Sequence, residues 1–186
     1  MKKIILIRHG KTIGNTEARY IGTTDQPLCD EGIAALREMK YPQPDIIFCS
    51  PMKRCLQTAS LIYPDLAPSI VRDLRECEFG DFEGKNHAEL DGNEYYQRWI
   101  DSGGSLPFPN GESPNGFRQR VANAFVACVN SAAFGSAAFV VHGGTIMAVM
   151  EAFAIPQKSY FDYMVKNGHG FIGNYDGARI TDAVEL

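Results

Sequence analysis

Residues 4–7 read Ile-Ile-Leu-Ile and run directly into Arg8-His9-Gly10. Four consecutive apolar residues between Lys3 and Arg8 leave no polar face, which predicts a strand buried on both sides, as in the middle of a parallel sheet. In open α/β sheets the ligand crevice lies outside the carboxyl ends of the strands, and Arg8 and His9 stand at that end. A lone histidine at a strand end is more often structural than reactive, so the remaining sequence has to decide.

Strand-like and helix-like patterns alternate along the chain, which predicts an α/β fold. Asp30 reads as the N-cap of a helix carrying Ile33, Leu36 and Met39 that stops before Pro42. Asp45–Ser50 reads as a second buried strand. Ser50-Pro51 reads as an N-cap with proline at the first helical position, opening a helix with Met52, Cys55, Leu56 and Ala59 on its apolar stripe. Ser69–Arg72 is a short strand candidate. The region 84–112, rich in glycine and proline, is the least regular and reads as a lid-like excursion over a site. Ser113-Pro114 opens a long helix with Phe117, Val121, Ala124, Phe125, Cys128 and Val129 on one face. Ala137–Val141 is a third buried strand ending at His142, and Gly143-Gly144-Thr145 starts a further helix. The stretch 170–186 reads as a hairpin turning at Asp176-Gly177.

At 186 residues the chain is expected to form a single domain, 1–186. A net charge of −4 without a basic stretch argues against a nucleic-acid partner. No apolar stretch is long enough to span a bilayer, and the first residues lack the pattern of a signal peptide, so no membrane partner and a cytoplasmic location are expected. The five cysteines are scattered and lack a Cys-x-x-Cys pair, which suggests neither a disulfide framework nor a zinc site.

If the three buried strands are parallel neighbours, their ends bring Arg8-His9, Cys49-Ser50 and His142 to one sheet edge. Arg54 lies off the apolar stripe in the first turn of its helix, where side chains tilt back toward that edge. Two arginines, two histidines and two helix N-termini at one edge form a local anion site suited to a compact dianion such as phosphate. Arginine fits because its planar fork pairs bidentately with phosphate oxygens.

These residues carry a family resemblance. Arg8-His9-Gly10-Lys11-Thr12 with Asn15, Ser50-Pro51-x-x-Arg54-x-x-Gln57-Thr58-Ala59, Leu74-Arg75-Glu76-x-x-x-Gly80-x-x-Glu83-Gly84, Pro109-Asn110-Gly111-Glu112-Ser113 and His142-Gly143-Gly144 resemble the motifs of the histidine phosphatase superfamily, the phosphoglycerate mutase-like branch 1. They occur in the family's order and cover most of the chain. The resemblance implies a three-layer α/β/α sandwich on a mostly parallel sheet. It also implies a phosphohistidine mechanism with no metal and no cofactor, acting on a small-molecule phosphomonoester. By the same resemblance His9 is the nucleophile and Glu76 the proton donor. Arg8, Arg54 and His142 clamp the phosphoryl oxygens, with Asn15 and Gly143 as further contacts. One departure is Met147, where many relatives have arginine.

The chemistry suits those roles. An imidazole attacks phosphorus only with an unprotonated ring nitrogen, and neighbouring arginines favour that form. Cations placed on the equatorial oxygens lower the barrier, and a carboxyl with a raised pKa can protonate the leaving alkoxide. Glu78 and Glu83 are weaker candidates for that carboxyl. Gly10-Lys11-Thr12 resembles the end of a P-loop, but Ile5 stands where that motif needs glycine. His87 and His169 read as exposed loop residues, and Trp99 and Tyr95-Tyr96 as packing residues that could also shape a lid. The short chain favours a phosphatase over a mutase, since family mutases generally carry more chain over the pocket. Tyr20–Leu28 is similar to the alpha-ribazole phosphatase group of the family. Mutase-type phosphoryl transfer and a non-catalytic phospho-ligand binding protein are the alternatives.

Overall fold

The computed structural model describes all 186 residues. The elements run β1 (Lys2–Arg8), α1 (Ile13–Thr16), α2 (Asp30–Glu38), β2 (Ile46–Cys49), α3 (Lys53–Ile62), β3 (Ser69–Ile70), α4 (Glu94–Asp101), α5 (Pro114–Ser131), β4 (Ser136–Val141), α6 (Gly143–Phe153), β5 (Gly170–Tyr175) and β6 (Ile180–Glu185). Short 3-10 turns occupy Arg72–Leu74, Gly80–Phe82 and Tyr160–Tyr163. The strands form one mixed sheet in the order β3-β2-β4-β1-β5-β6. β1, β2, β3 and β4 are mutually parallel, and β5 runs antiparallel to both β1 and β6.

Strand alternation explains the layering. Ile4 and Leu6 of β1 point into the larger core with Phe125, Phe139 and Val149. Ile5 and Ile7 point the other way, to Ile47, Cys55, Ala59 and Tyr63. Because successive strand residues face opposite sides, an unbroken apolar run fills two cores at once. Helices α5 and α6 cover one face, while α3, with α2 packed against it, covers the other. This is the expected α/β/α sandwich.

The structure corrects several boundaries. Asp30 is the first residue of α2, and Cys29 takes the N-cap place without a side-chain cap. Helix α3 begins at Lys53 with Met52 as N-cap; Ser50 Oγ lies 2.7 Å from His142 Nε2 and accepts the Met52 N–H only at 3.5 Å. The strand read over Ser69–Arg72 stops at Ile70, where the chain turns into the 3-10 segment at Arg72. Ser113 caps α5 as expected, accepting the Gly116 N–H at 3.1 Å. The six apolar residues assigned to the inner face of α5 are all buried. His87 is exposed, whereas His169 is half-buried, its Nδ1 2.7 Å from the Leu186 carbonyl. No helix is long and apolar enough to cross a membrane.

Candidate active site

The parallel register of β1, β4 and β2 brings Arg8, Val141 and Cys49 to the same sheet edge, and the next residues are His9, His142 and Ser50. His9 N–H donates to the Val141 carbonyl at 2.9 Å, and Ser50 N–H to the Val140 carbonyl at 3.1 Å, so the strand ends are tied to each other. The turn after β1 is held by Gly10 N–H donating to Thr58 Oγ1 at 3.0 Å. From the other side, Asn167 Nδ2 donates to the His9 carbonyl at 3.1 Å and to Asn15 Oδ1 at 3.2 Å.

The hydrogen-bond network assigns both imidazole tautomers. His9 Nδ1 lies 2.7 Å from the Gly10 carbonyl, an acceptor only, so Nδ1 carries the hydrogen and Nε2 keeps its lone pair. His142 Nδ1 receives the Arg54 Nε–H at 3.3 Å, and its Nε2–H faces Ser50 Oγ. The two rings meet edge to face, with centroids 5.3 Å apart. Burial holds both imidazoles well below the usual histidine range, and the positive charges of Arg54 and Arg8 add to the effect.

Arg54 and His142 are 0 % exposed and form the floor beneath His9. The Arg54 guanidinium donates to the carbonyls of Thr24 and Gly22, both at 2.9 Å. That loop is pinned by Glu83, whose carboxylate accepts the N–H groups of Gly22 and Thr24 at 2.9 Å and the Thr24 hydroxyl at 2.8 Å. Arg8 donates through Nη1 to the Val165 carbonyl at 2.8 Å, but its buried Nε has no partner. An orphaned, buried guanidinium N–H beside His9 fits an anion in the cleft.

Glu76 crosses from the Arg72–Leu74 turn to the N-terminus of α6. Its Oε2 accepts the Gly144 N–H and its Oε1 the Cys77 N–H, both at 3.0 Å. Burial raises its pKa, against the opposing pull of these two N–H groups and of Arg54 and Arg8. Glu78, by contrast, is half-exposed and pairs with Arg75. Glu83 is spent on the loop just described.

These groups open into a cleft of about 360 Å³. Arg8, His9, Asn15, Glu76 and Gly143 lie along it together with Met147, while Tyr20, Trp99, Phe108, Phe117 and Tyr160 supply much of the wall. Trp99 and Phe108 come from the 84–112 excursion, so Trp99 shapes the cleft as well as packing on Tyr96 and Phe108. Phe161 and Met164 also line the cleft, yet are 45 % and 62 % exposed, so the cleft reaches solvent beside them. The sequence reading missed Ser50 as a partner of His142, Asn167, and the 160–164 segment. Ser50 stood inside a recognised motif, whereas nothing in the pattern of 160–167 marks it as part of a site.

All the residues singled out from the sequence, Arg8, His9, Asn15, Arg54, Glu76, His142 and Gly143, therefore meet in one region, with Arg54 and His142 beneath the lining rather than on it. Residues 4–181 match the histidine phosphatase superfamily (branch 1) as a family. A Hydrogenobacter thermophilus protein carrying a candidate phosphoserine phosphatase 2 name is 32 % identical over 158 residues, spanning 81 % of this chain and 77 % of the relative. The adenosylcobalamin/alpha-ribazole phosphatase of Escherichia coli (strain K12) is 27 % identical over 175 residues, 89 % of this chain and 86 % of the relative. The crystal structure of phosphoglycerate mutase from Thermus thermophilus superposes with a TM-score of 0.76 at 30 % identity, covering 99 % of each chain. With the match running nearly end to end, the chain belongs to branch 1 of the histidine phosphatase superfamily.

Proposed function

We propose that the chain is a metal-independent phosphomonoester hydrolase working through a phosphohistidine on His9, with residues 1–186 acting as one domain and 84–112 covering the site. The observation that carries this reading is the His9 tautomer: an unprotonated Nε2 backed by Arg54 and flanked by Arg8. Arg8, Asn15 and the Gly143 N–H receive the phosphoryl oxygens, and Arg54 adds positive field from the floor, where neutral His142 accepts its Nε–H.

Nε2 of His9 attacks phosphorus in line as the P–O bond to the alcohol breaks. Glu76, whose pKa is raised by burial, gives a proton to the leaving oxygen. Water then attacks the phosphohistidine, Glu76 takes the water's proton, and phosphate departs as the N–P bond breaks. One carboxyl group thus acts first as acid and then as base.

Hydrolysis is favoured over mutase-type transfer by the solvent-reaching mouth beside Phe161 and Met164, since a mutase has to keep water from its phosphoenzyme. The substrate is a small phosphomonoester, and the likeness to the Escherichia coli relative makes alpha-ribazole 5′-phosphate the first ester to try. Five free thiols accord with a cytoplasmic location.

The test is phosphate release from an aryl phosphate in EDTA, comparing wild type with His9→Ala. The expected result is turnover that survives EDTA, disappears in the variant, and leaves an acid-labile phosphoenzyme in rapidly quenched wild type. Equal activity in both proteins sinks His9 as nucleophile. Stable binding of phosphate without turnover in wild type selects the binding-protein alternative.

A further inference from the structure

Three arginines line the cleft, and they are not equivalent. Arg8 belongs to the phosphate end. Arg19 is committed: its guanidinium donates to Glu17, to Glu89 and to the Gly84 carbonyl. Arg118, on α5, meets an acceptor only through Nε, 3.3 Å from Glu151 Oε2 on α6. Its guanidinium carbon lies 4.4 Å from the centre of the Tyr160 ring, which orients the plane and leaves the terminal nitrogens uncommitted.

We propose that Arg118 is a specificity-determining residue that binds a carboxylate or equivalent planar oxygen acceptor on the alcohol portion of the substrate, exchanging its contact with Glu151 for the ligand. This rests on the hydrolase reading above for what the cleft holds. Aromatic side chains supply much of the wall, so an apolar or planar alcohol body is covered there; Arg118 brings charged, uncommitted donors to that wall, which also carries the unpartnered Nε1–H of Trp99. Stacking on Tyr160 pre-organises the fork, so that few rotamers are lost on binding. A partly exposed, one-point ion pair is a weak competitor for such a fork. Glu151 accordingly sets the threshold: it favours ligands whose acceptor outcompetes it and leaves Arg118 masked toward plain esters.

The experiment measures binding separately from turnover. In a His9→Ala background, calorimetry gives the affinities for phenyl phosphate and for 3- and 4-carboxyphenyl phosphate, alone and combined with Arg118→Met or Glu151→Gln. The expected result is that at least one carboxylated ester binds more tightly than phenyl phosphate. Arg118→Met is expected to abolish that preference, a loss of about tenfold or more. Glu151→Gln is expected to enlarge it several-fold. The opposite directions matter, because a merely structural ion pair would respond to either substitution in the same way. Equal affinities for all three esters in the parent, or both substitutions shifting the preference alike, overturn the assignment. Failure of the hydrolase reading has a different signature, absence of turnover with His9 intact, and leaves these affinities readable.

Discussion

Arg54 Nε lies 3.3 Å from His142 Nδ1, both side chains having no exposure to solvent. A guanidinium can only donate, so His142 is held neutral with its hydrogen on Nε2, facing Ser50. The same positive charge presses on His9 and helps keep its attacking nitrogen unprotonated.

Arg54→Met should therefore damage catalysis more than binding alone accounts for. Loss of one positioned donor costs about 3 kcal/mol, roughly a hundredfold in kcat. Unpairing the Thr24 and Gly22 carbonyls adds about 1–3 kcal/mol of instability. Phosphate-release kinetics and thermal melting measure the two effects. Nitrogen NMR of His142 should show its tautomer no longer fixed, and an unchanged spectrum would remove Arg54 from that role.

The pH profile follows from two shifts of opposite sense. His9 must be neutral, and burial with Arg54 and Arg8 moves its pKa below 6.5, so activity should fall as pH drops through that lowered value. Glu76 must be protonated to act as acid, and burial moves its pKa above 4.5, so activity should fall again as pH rises through the raised value. A bell in kcat/KM is expected, with apparent values that belong to the coupled pair. Glu76→Gln should erase the alkaline limb. It should lower alkyl phosphate turnover by about 10²–10⁴-fold, with a smaller loss for aryl phosphates, whose leaving groups need less protonation.

Gly144 tests the placement of Glu76 with the carboxyl group itself retained. A Cβ there would stand 2.3 Å from Glu76 Oε1 and 3.1 Å from its Cδ. Gly144→Ala should push the carboxylate off the α6 N-terminus and lower kcat by at least tenfold, since misplacing a group by about 1 Å can cost on the order of a hundredfold. Far-UV circular dichroism should stay unchanged. Wild-type kcat in this variant would show that Glu76 does not need its bond to Gly144.

Glu83 reaches the site at second hand, through the loop that carries the carbonyls bound by Arg54. Glu83→Ala leaves the N–H groups of Gly22 and Thr24 without their carboxylate partner, with an expected cost of about 1–3 kcal/mol. Because Arg54 leans on the same loop, kcat should fall while the pH profile keeps its shape. A lowered melting temperature with intact kcat would separate the loop's stability from its hold on Arg54.

Much of this was written locally in the chain. Ile4–Ile7 specified a strand buried on both faces because side chains alternate across a sheet. Phe117, Val121, Ala124, Phe125, Cys128 and Val129 specified the inner face of α5 because helical spacing recurs every three to four residues. The linear motifs pointed to His9, Arg8, Arg54, Glu76 and His142, and strand register then placed them together. Ser50 was recognised but misassigned, as a helix cap, because whether its hydroxyl meets a backbone N–H or His142 depends on where β4 ends.

Only the tertiary structure decided the protonation pattern and the chemistry of the cleft wall. The tautomers of His9 and His142 depend on acceptor and donor atoms at angstrom range, and the raised pKa of Glu76 depends on burial. Neither is a property of spacing along a chain. The pairing of Arg118 with Glu151, and its stacking on Tyr160, join residues from α5, α6 and a segment with no periodic pattern. Sequence determined which elements form and which residues reach the sheet edge; long-range packing determined which of their nitrogens and oxygens are left free to react.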